Sequence, residues 1–139
     1  MSKSLMAYFN KEPRLGILST SNKAGEIDSA YFGSPRMVDE KTILVALGKN
    51  KTYANLQENP QACYLIMEPG KSIAEWKGVR IYLTMTTCET SGDNLAMMKK
   101  AVSEMAGEAA AEMMYAAATF LVTNVRPLAD FGQGWERSV

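Results

Sequence analysis

The 139-residue chain contains no histidine. That absence removes Ser-His-Asp and Cys-His nucleophile systems, together with histidine-ligated zinc, copper and haem. Cysteine is nearly as scarce. Cys63 and Cys88 are the only two, too few for a zinc site built from four thiolates. Cys63 lies inside the apolar run Ala62-Cys63-Tyr64-Leu65-Ile66-Met67, and Cys88 sits near the end of an alternating stretch. Both therefore read as buried or half-buried free thiols rather than a disulfide or a reactive centre, which suits a reducing compartment. Neither sign of charge is in surplus, with 15 basic and 15 acidic residues. A general nucleic-acid or acidic-membrane binder would need a basic excess, so both are disfavoured as partners. No run approaches the roughly 20 apolar residues of a membrane span. The start, Met1-Ser2-Lys3-Ser4-Leu5-Met6, lacks the apolar core of a signal peptide. The expected location is the cytoplasm.

What is present is a globular composition. Hydrophobic residues make up 47%, enough for a sizeable core, and the length suits one domain over residues 1–139. Repeats, low-complexity stretches and linkers are missing. Ser4 to Lys11 reads as a short helix that Pro13 ends. Leu15 to Thr20 and Ile27 to Phe32 read as strands of a hairpin around the turn-rich Asn22-Lys23-Ala24-Gly25-Glu26. Ser34 to Val38 and Thr42 to Leu47 follow as strands. Lys51 to Glu58 is helical, with Asn59-Pro60 as its stop, and Ala62 to Met67 is a mostly apolar strand expected to be buried on both faces. Val79 to Thr90 alternates cleanly and is long enough to bend around a barrel. A helix capped by Ser91 or Asp93 repeats Leu95, Met98, Val102, Met105, Ala109 and Met113 on one face, with a possible break at Gly107. The methionines there suit core filler. Thr119 to Val125 is the last strand, closed by Pro127, and a tail carries Phe131 and Trp135. Short strands, hairpin turns, one crossing helix and a return strand predict a mainly β (α+β) fold: an antiparallel barrel with a few peripheral helices.

The most informative stretch is Gly48-Lys49-Asn50-Lys51-Thr52-Tyr53-Ala54-Asn55. It runs from a strand through a glycine turn into a helix. Two ammonium groups, a threonine hydroxyl and the unpartnered N–H groups of a helix start converge there, which suits a phosphate. Thr52 would serve as N-cap or as direct donor. The same residues also suit a plain turn with two solvated lysines and a capping threonine. Lys51-Thr52 matches the end of a P-loop, but the glycines that motif needs are replaced by Asn50 and Val45, and no Gly-x-Gly-x-x-Gly occurs. A nucleoside-triphosphate hydrolase is poorly supported.

The order of elements resembles a family. A hairpin ending in the small-residue strand Asp28-Ser29-Ala30-Tyr31-Phe32 precedes a strand ending in glycine, then a Lys-Thr helix start and Asn55-Leu56-Gln57-Glu58-Asn59-Pro60, then an apolar strand. This resembles the FMN-binding split β-barrel of the pyridoxamine 5′-phosphate oxidase-like superfamily, in its small single-domain form. The resemblance covers Leu15 to Met67 well and the remainder by element order. It implies FMN as cofactor, with the phosphate on Lys51 and Thr52 and with Lys49 and Asn50 nearby. It implies that Ser29, Ala30 and Tyr31 run along the flavin ring, and that Ala46, Leu47 and Gly48 line its other side. It also implies a homodimer with flavins at the interface, where Trp76, Phe131 or Trp135 could cover the partner's flavin. The implied function is an FMN-dependent oxidoreductase or electron carrier acting on a small molecule or redox protein, the alternative being a non-enzymatic binder of flavin or of another phosphorylated ligand such as a deazaflavin. Lacking histidine, the chain departs from the substrate site of true pyridoxine phosphate oxidases. Tyr31 and Arg36 are weak acid–base candidates, and no catalytic residue is assigned.

Overall fold

Strands of alternating side chains wrap the larger of two cores. The computed structural model describes residues 4–139, so the first three residues of the N-terminal segment considered above lie outside the described part. The short helix α1 (Leu5–Phe9) leads into β1 (Leu15–Ser21) and β2 (Ile27–Tyr31). Asn22 builds the hairpin turn between those strands: its Oδ1 accepts from the N–H groups of Ala24 and Glu26, both at 3.0 Å. This is how an Asn side chain substitutes for backbone in a turn. Next come β3 (Arg36–Asp39), β4 (Thr42–Gly48), α2 (Lys51–Glu58), β5 (Gln61–Glu68) and β6 (Lys77–Glu89). Two helices, α3 (Asp93–Ala106) and α4 (Glu108–Glu112), precede the final strand β7 (Met114–Pro127).

The seven strands form one sheet in the order β2-β1-β5-β6-β7-β4-β3, and every ladder is antiparallel. The sheet curls so that six of its strands send side chains into one interior. Leu18, Met37, Val45, Tyr64, Ile81 and Phe120 meet there with Phe9 of α1 and Leu56 of α2. The end strands β2 and β3 share no ladder, which is the seam of a split barrel. β6 bends at two register shifts, after Tyr82 and after Met85, as its length requires. Outside the barrel, Leu44 and Ala46 of β4 and Ala117 of β7 pack beneath Leu95, Met98 and Val102 of α3. β4 therefore separates two cores.

Three details differ from expectation. β7 begins at Met114, five residues before the predicted Thr119, because Ala116, Ala117 and Ala118 pair with Leu47, Ala46 and Val45 of β4. Strand pairing overrides the helix preference of alanine. The helix breaks at Gly107, whose φ of +94° suits glycine alone. Met105 in the last turn of α3 and Met113 beyond the break are 56% and 74% exposed rather than on a buried face. β5 buries Tyr64 and Ile66 on one side, but Cys63, Leu65 and Met67 stay half-exposed on the other. Both cysteines are free thiols. Among the described residues no helix is long and apolar enough to cross a membrane.

Candidate functional site

The chain leaves β4 at Gly48 and starts α2 at Lys51. Asn50, not Thr52, caps the helix: its Oδ1 accepts from the Tyr53 N–H at 3.0 Å, and its carbonyl accepts from Ala54 at 3.0 Å. The Asn50 N–H is turned back onto Gly48 O at 3.1 Å. This leaves the first two helical N–H groups, on Lys51 and Thr52, without a partner among the described residues. Thr52 is buried at 2% exposure, while Lys49 and Lys51 are exposed. Neither lysine is in an ion pair among the described residues, and the first turn carries no acid. Lys49 places its ammonium 5.2 Å from the centre of the Tyr115 ring, a cation–π distance. Tyr115 meets Tyr53 edge-on at 5.3 Å. Desolvation, followed by the neighbouring Tyr115, pushes the Tyr53 hydroxyl above its ordinary pKa.

The Asn-Leu-x-x-Asn-Pro stretch anchors this helix. Asn55 Nδ2 donates to Thr20 Oγ1 of β1 at 3.1 Å, with both residues buried. Leu56 enters the barrel core. Asn59 donates its N–H to Asn55 O at 2.8 Å and accepts from the Gln61 N–H at 3.0 Å, so it hands the chain from helix to β5.

The other predicted residues divide by strand. Ser29 and Tyr31 are exposed on β2, and Ala30 is half-buried. Ser29 Oγ lies 2.8 Å from Ser19 Oγ across the ladder. β2 is an end strand against which α2 packs, so one row of its backbone N–H and C=O groups is free of strand pairing. On β4 the Leu47 side chain is fully buried in the barrel, and the Ala46 side chain sits under α3. Those two residues offer a ligand mainly backbone. Gly48 follows a register shift and pairs with Met114.

Beside them lies a cavity of 390 Å³, bounded by residues 31–34, Ala46, Met114 and the Val102, Met105 and Ala106 end of α3. Its loop wall is fixed from below. Arg14 donates from Nη2 to Gly33 O at 3.0 Å and to Pro35 O at 2.6 Å, and from Nη1 to Phe9 O at 2.7 Å. Tyr64 donates to Phe32 O at 2.6 Å, and burial pushes its hydroxyl up to about 12. Ser34 Oγ accepts from the Ala46 N–H and donates to the Ala46 carbonyl, both at 3.2 Å, and so takes the place of a missing strand neighbour.

Of the three aromatics considered as flavin covers, Trp135 packs against the barrel core. Trp76 is 41% exposed in a separate 590 Å³ cavity with Lys71, Lys77 and Arg137. Phe131 is 88% exposed. Arg36 is exposed on β3. Sequence reasoning missed Tyr115, Met114 and the Arg14–Tyr64 clamp. Nothing local marks Tyr115, which reaches Lys49 only through the β4–β7 ladder.

The family model described as pyridoxamine 5′-phosphate oxidase matches residues 3–128. No curated protein matches the chain. Among solved structures, an FMN-binding protein from Syntrophomonas wolfei subsp. wolfei is 20% identical. It covers 91% of this chain and 84% of its own, with a TM-score of 0.81. HutZ, the haem storage protein from Vibrio cholerae, is 16% identical over 86% of this chain and 89% of its own, with a TM-score of 0.67. A protein described as an F420 reductase is 12% identical over 89% of this chain and 98% of its own, with a TM-score of 0.60. At these identities the likeness shows the fold.

Proposed function

The chain belongs to the pyridoxamine 5′-phosphate oxidase family, and from that premise we propose that it binds FMN and serves as an oxidoreductase or electron carrier. The observation that carries the proposal is the start of α2. Two exposed ammonium groups without acidic partners, and two N–H groups without intrahelical acceptors, converge at one point. The donor set fits a phosphate dianion: Lys51 and Lys49 supply charge, and the Lys51 and Thr52 N–H groups supply direction. Ser29, Ala30 and Tyr31 would present the open backbone edge of β2 to the ring, whereas Ala46, Leu47 and Gly48 would present backbone and short side chains from the other side. Bound FMN supplies hydride and single-electron chemistry, and the protein supplies position and electrostatics.

Two relatives suggest other ligands. A haem reading finds no histidine in the chain to hold the iron. A deazaflavin such as F420 carries a phosphate too, so the anchor would accept it, and that is the alternative within the same fold. A homodimer is part of the proposal. The outer face of β2 and β1, with Ile27 75% and Tyr31 65% exposed, is the apolar surface that a second copy would cover.

The test is a visible absorption spectrum of the purified chain, followed by titration with FMN and with riboflavin. FMN fluorescence is expected to be quenched at far lower concentration than riboflavin fluorescence, because only FMN has the phosphate. A colourless protein that leaves FMN fluorescence unchanged refutes the proposal. Equal affinity for both flavins moves the anchor away from α2. Turnover of a nicotinamide donor with an acceptor separates an enzyme from a binder.

A further inference from the structure

The geometry points to the 390 Å³ cavity between residues 31–34 and the end of α3 as the seat of the flavin's reaction partner, an uncharged and largely apolar small molecule. This rests on the FMN reading for the word partner. The preference for an uncharged ligand rests on the cavity alone. No lysine, arginine, aspartate or glutamate lines it. Ser34, its one aliphatic hydroxyl, is committed to both backbone groups of Ala46. A charged molecule seated against these walls would shed part of its hydration and meet no counter-charge, which is costly. The 590 Å³ cavity shows the contrast, being lined by Lys71, Lys77 and Arg137 as well as by acids.

Size and shape point the same way. A volume of 390 Å³ lies in the small-molecule range of roughly 300–1,000 Å³. One wall is rigid, because Arg14 and Tyr64 fix three successive stations of the loop at Phe32, Gly33 and Pro35. The facing wall carries Met105 and Met114, whose flexible thioethers adapt to flat apolar surfaces. The position also suits a partner. Tyr31 and Ala46 belong both to the cavity and to the proposed FMN contacts, and Met114 is the ladder partner of Gly48.

The experiment uses the full chain with ¹³C-methyl methionine, loaded with FMN, and two probes of one shape: neutral 1-naphthol and anionic naphthalene-1-sulfonate. The Met105 and Met114 methyl resonances are expected to move with 1-naphthol and to respond about tenfold more weakly or less to the sulfonate. Met105→Glu is expected to weaken 1-naphthol by about tenfold or more while FMN quenching is unchanged, with Met105→Gln falling between it and the native chain. Met105 is exposed at a helix end, so these variants leave the core intact. Equal binding of the sulfonate, or shifts confined to other methionines, overturns the inference. So does competition between FMN and 1-naphthol, which would make the cavity the seat of the ring itself. Shifts of the same methyls with protein concentration alone would assign the face to a second copy and also overturn it. If FMN fails to bind and the 1-naphthol shifts persist, the flavin reading falls while the cavity's preference for an uncharged ligand stands.

Discussion

Gly16→Ala is the sharpest test of how the loop wall of the cavity is held. Gly16 lies on β1 beneath the Tyr64 ring, where an added Cβ would overlap the phenol oxygen and Cζ and stand 3.0 Å from Cε1. Tyr64 has no room to yield. It is fully buried, packs at 5.4 Å against Phe9, lies under the Arg14 guanidinium at 5.4 Å, and donates to Phe32 O at 2.6 Å. Overpacking of this kind costs about 1–3 kcal/mol. Pushing the hydroxyl off the Phe32 carbonyl adds about 1–3 kcal/mol for a stranded acceptor. The expected loss is therefore about 2–6 kcal/mol, a large part of the 5–15 kcal/mol that typically holds a native chain together. Urea unfolding followed by tyrosine and tryptophan fluorescence measures it. Tyr64→Phe alone leaves the same Phe32 acceptor stranded and should cost about 1–3 kcal/mol. Because that change removes the nearest clashing atom, the double variant should cost less than the sum of the two single ones, by about 0.5–3 kcal/mol. A Gly16→Ala loss within the roughly 0.5 kcal/mol typical of neutral surface changes, or strict additivity, would show that Tyr64 is not wedged there.

Lys51→Ala should raise the FMN dissociation constant about 12- to 140-fold, from the 1.5–3 kcal/mol of a charge-assisted contact, and leave riboflavin untouched in the same fluorescence titration. An unchanged FMN constant would place the phosphate elsewhere. Asn55→Ala strands the Thr20 hydroxyl at the buried α2–β1 contact, so thermal and urea unfolding should show a loss of about 1–3 kcal/mol; a neutral result would mean that water substitutes for the amide. Asp130 should titrate well below the usual carboxylate range, chiefly because Arg126 donates to both of its oxygens at 2.6 and 2.7 Å and the Gly132 N–H adds a third bond at 2.9 Å. The sign follows from a depressed folded pKa: its contribution is fully present above the unfolded value of about 3.9 and is lost only as pH falls through the lower folded one. A ¹³C carboxyl titration with an ordinary aspartate midpoint would contradict this.

Local periodicity was enough to read most of the strands. The hairpin across Asn22–Glu26, the Lys51–Glu58 helix and the long bending strand, expected over Val79 to Thr90 and formed over Lys77–Glu89, each announce themselves through turn residues or alternation. The failures share one cause, which is that local pattern is silent about partners. Met114-Tyr115-Ala116-Ala117-Ala118 falls between the expected helix and the expected strand, and only β4 laid beside it makes it strand. Met105 and Met113 fall at helical spacing, but Met105 sits in the last turn of α3 and Met113 beyond the break at Gly107, and both are exposed. The donor-rich start of α2, proposed above as the phosphate anchor, could be read in advance because its donors are consecutive in sequence. Tyr115 could not, since 66 positions separate it from Lys49 and only the β4–β7 ladder brings the two together. The Asn50 cap was also hidden, because asparagine and threonine can both cap and the local pattern does not show where the first helical turn begins.

The placement of β4 explains why small residues cluster near the proposed site. Its odd-numbered side chains, Ile43, Val45 and Leu47, are committed to the barrel, and its even-numbered ones, Leu44 and Ala46, to the α3 layer. A strand buried on both faces has no side chain left to extend toward a ligand. It contributes through its end, where Gly48 releases the backbone and α2 begins. The chain therefore supplies charge from Lys49 and Lys51 just beyond the strand, and direction from N–H groups that the helix leaves unused. Enlarging Ala46 would not extend the site. It would crowd the outer core under α3 and the cavity that Ala46 lines, so in the proposed site affinity would be tuned through the loops flanking β4 and not through the strand itself.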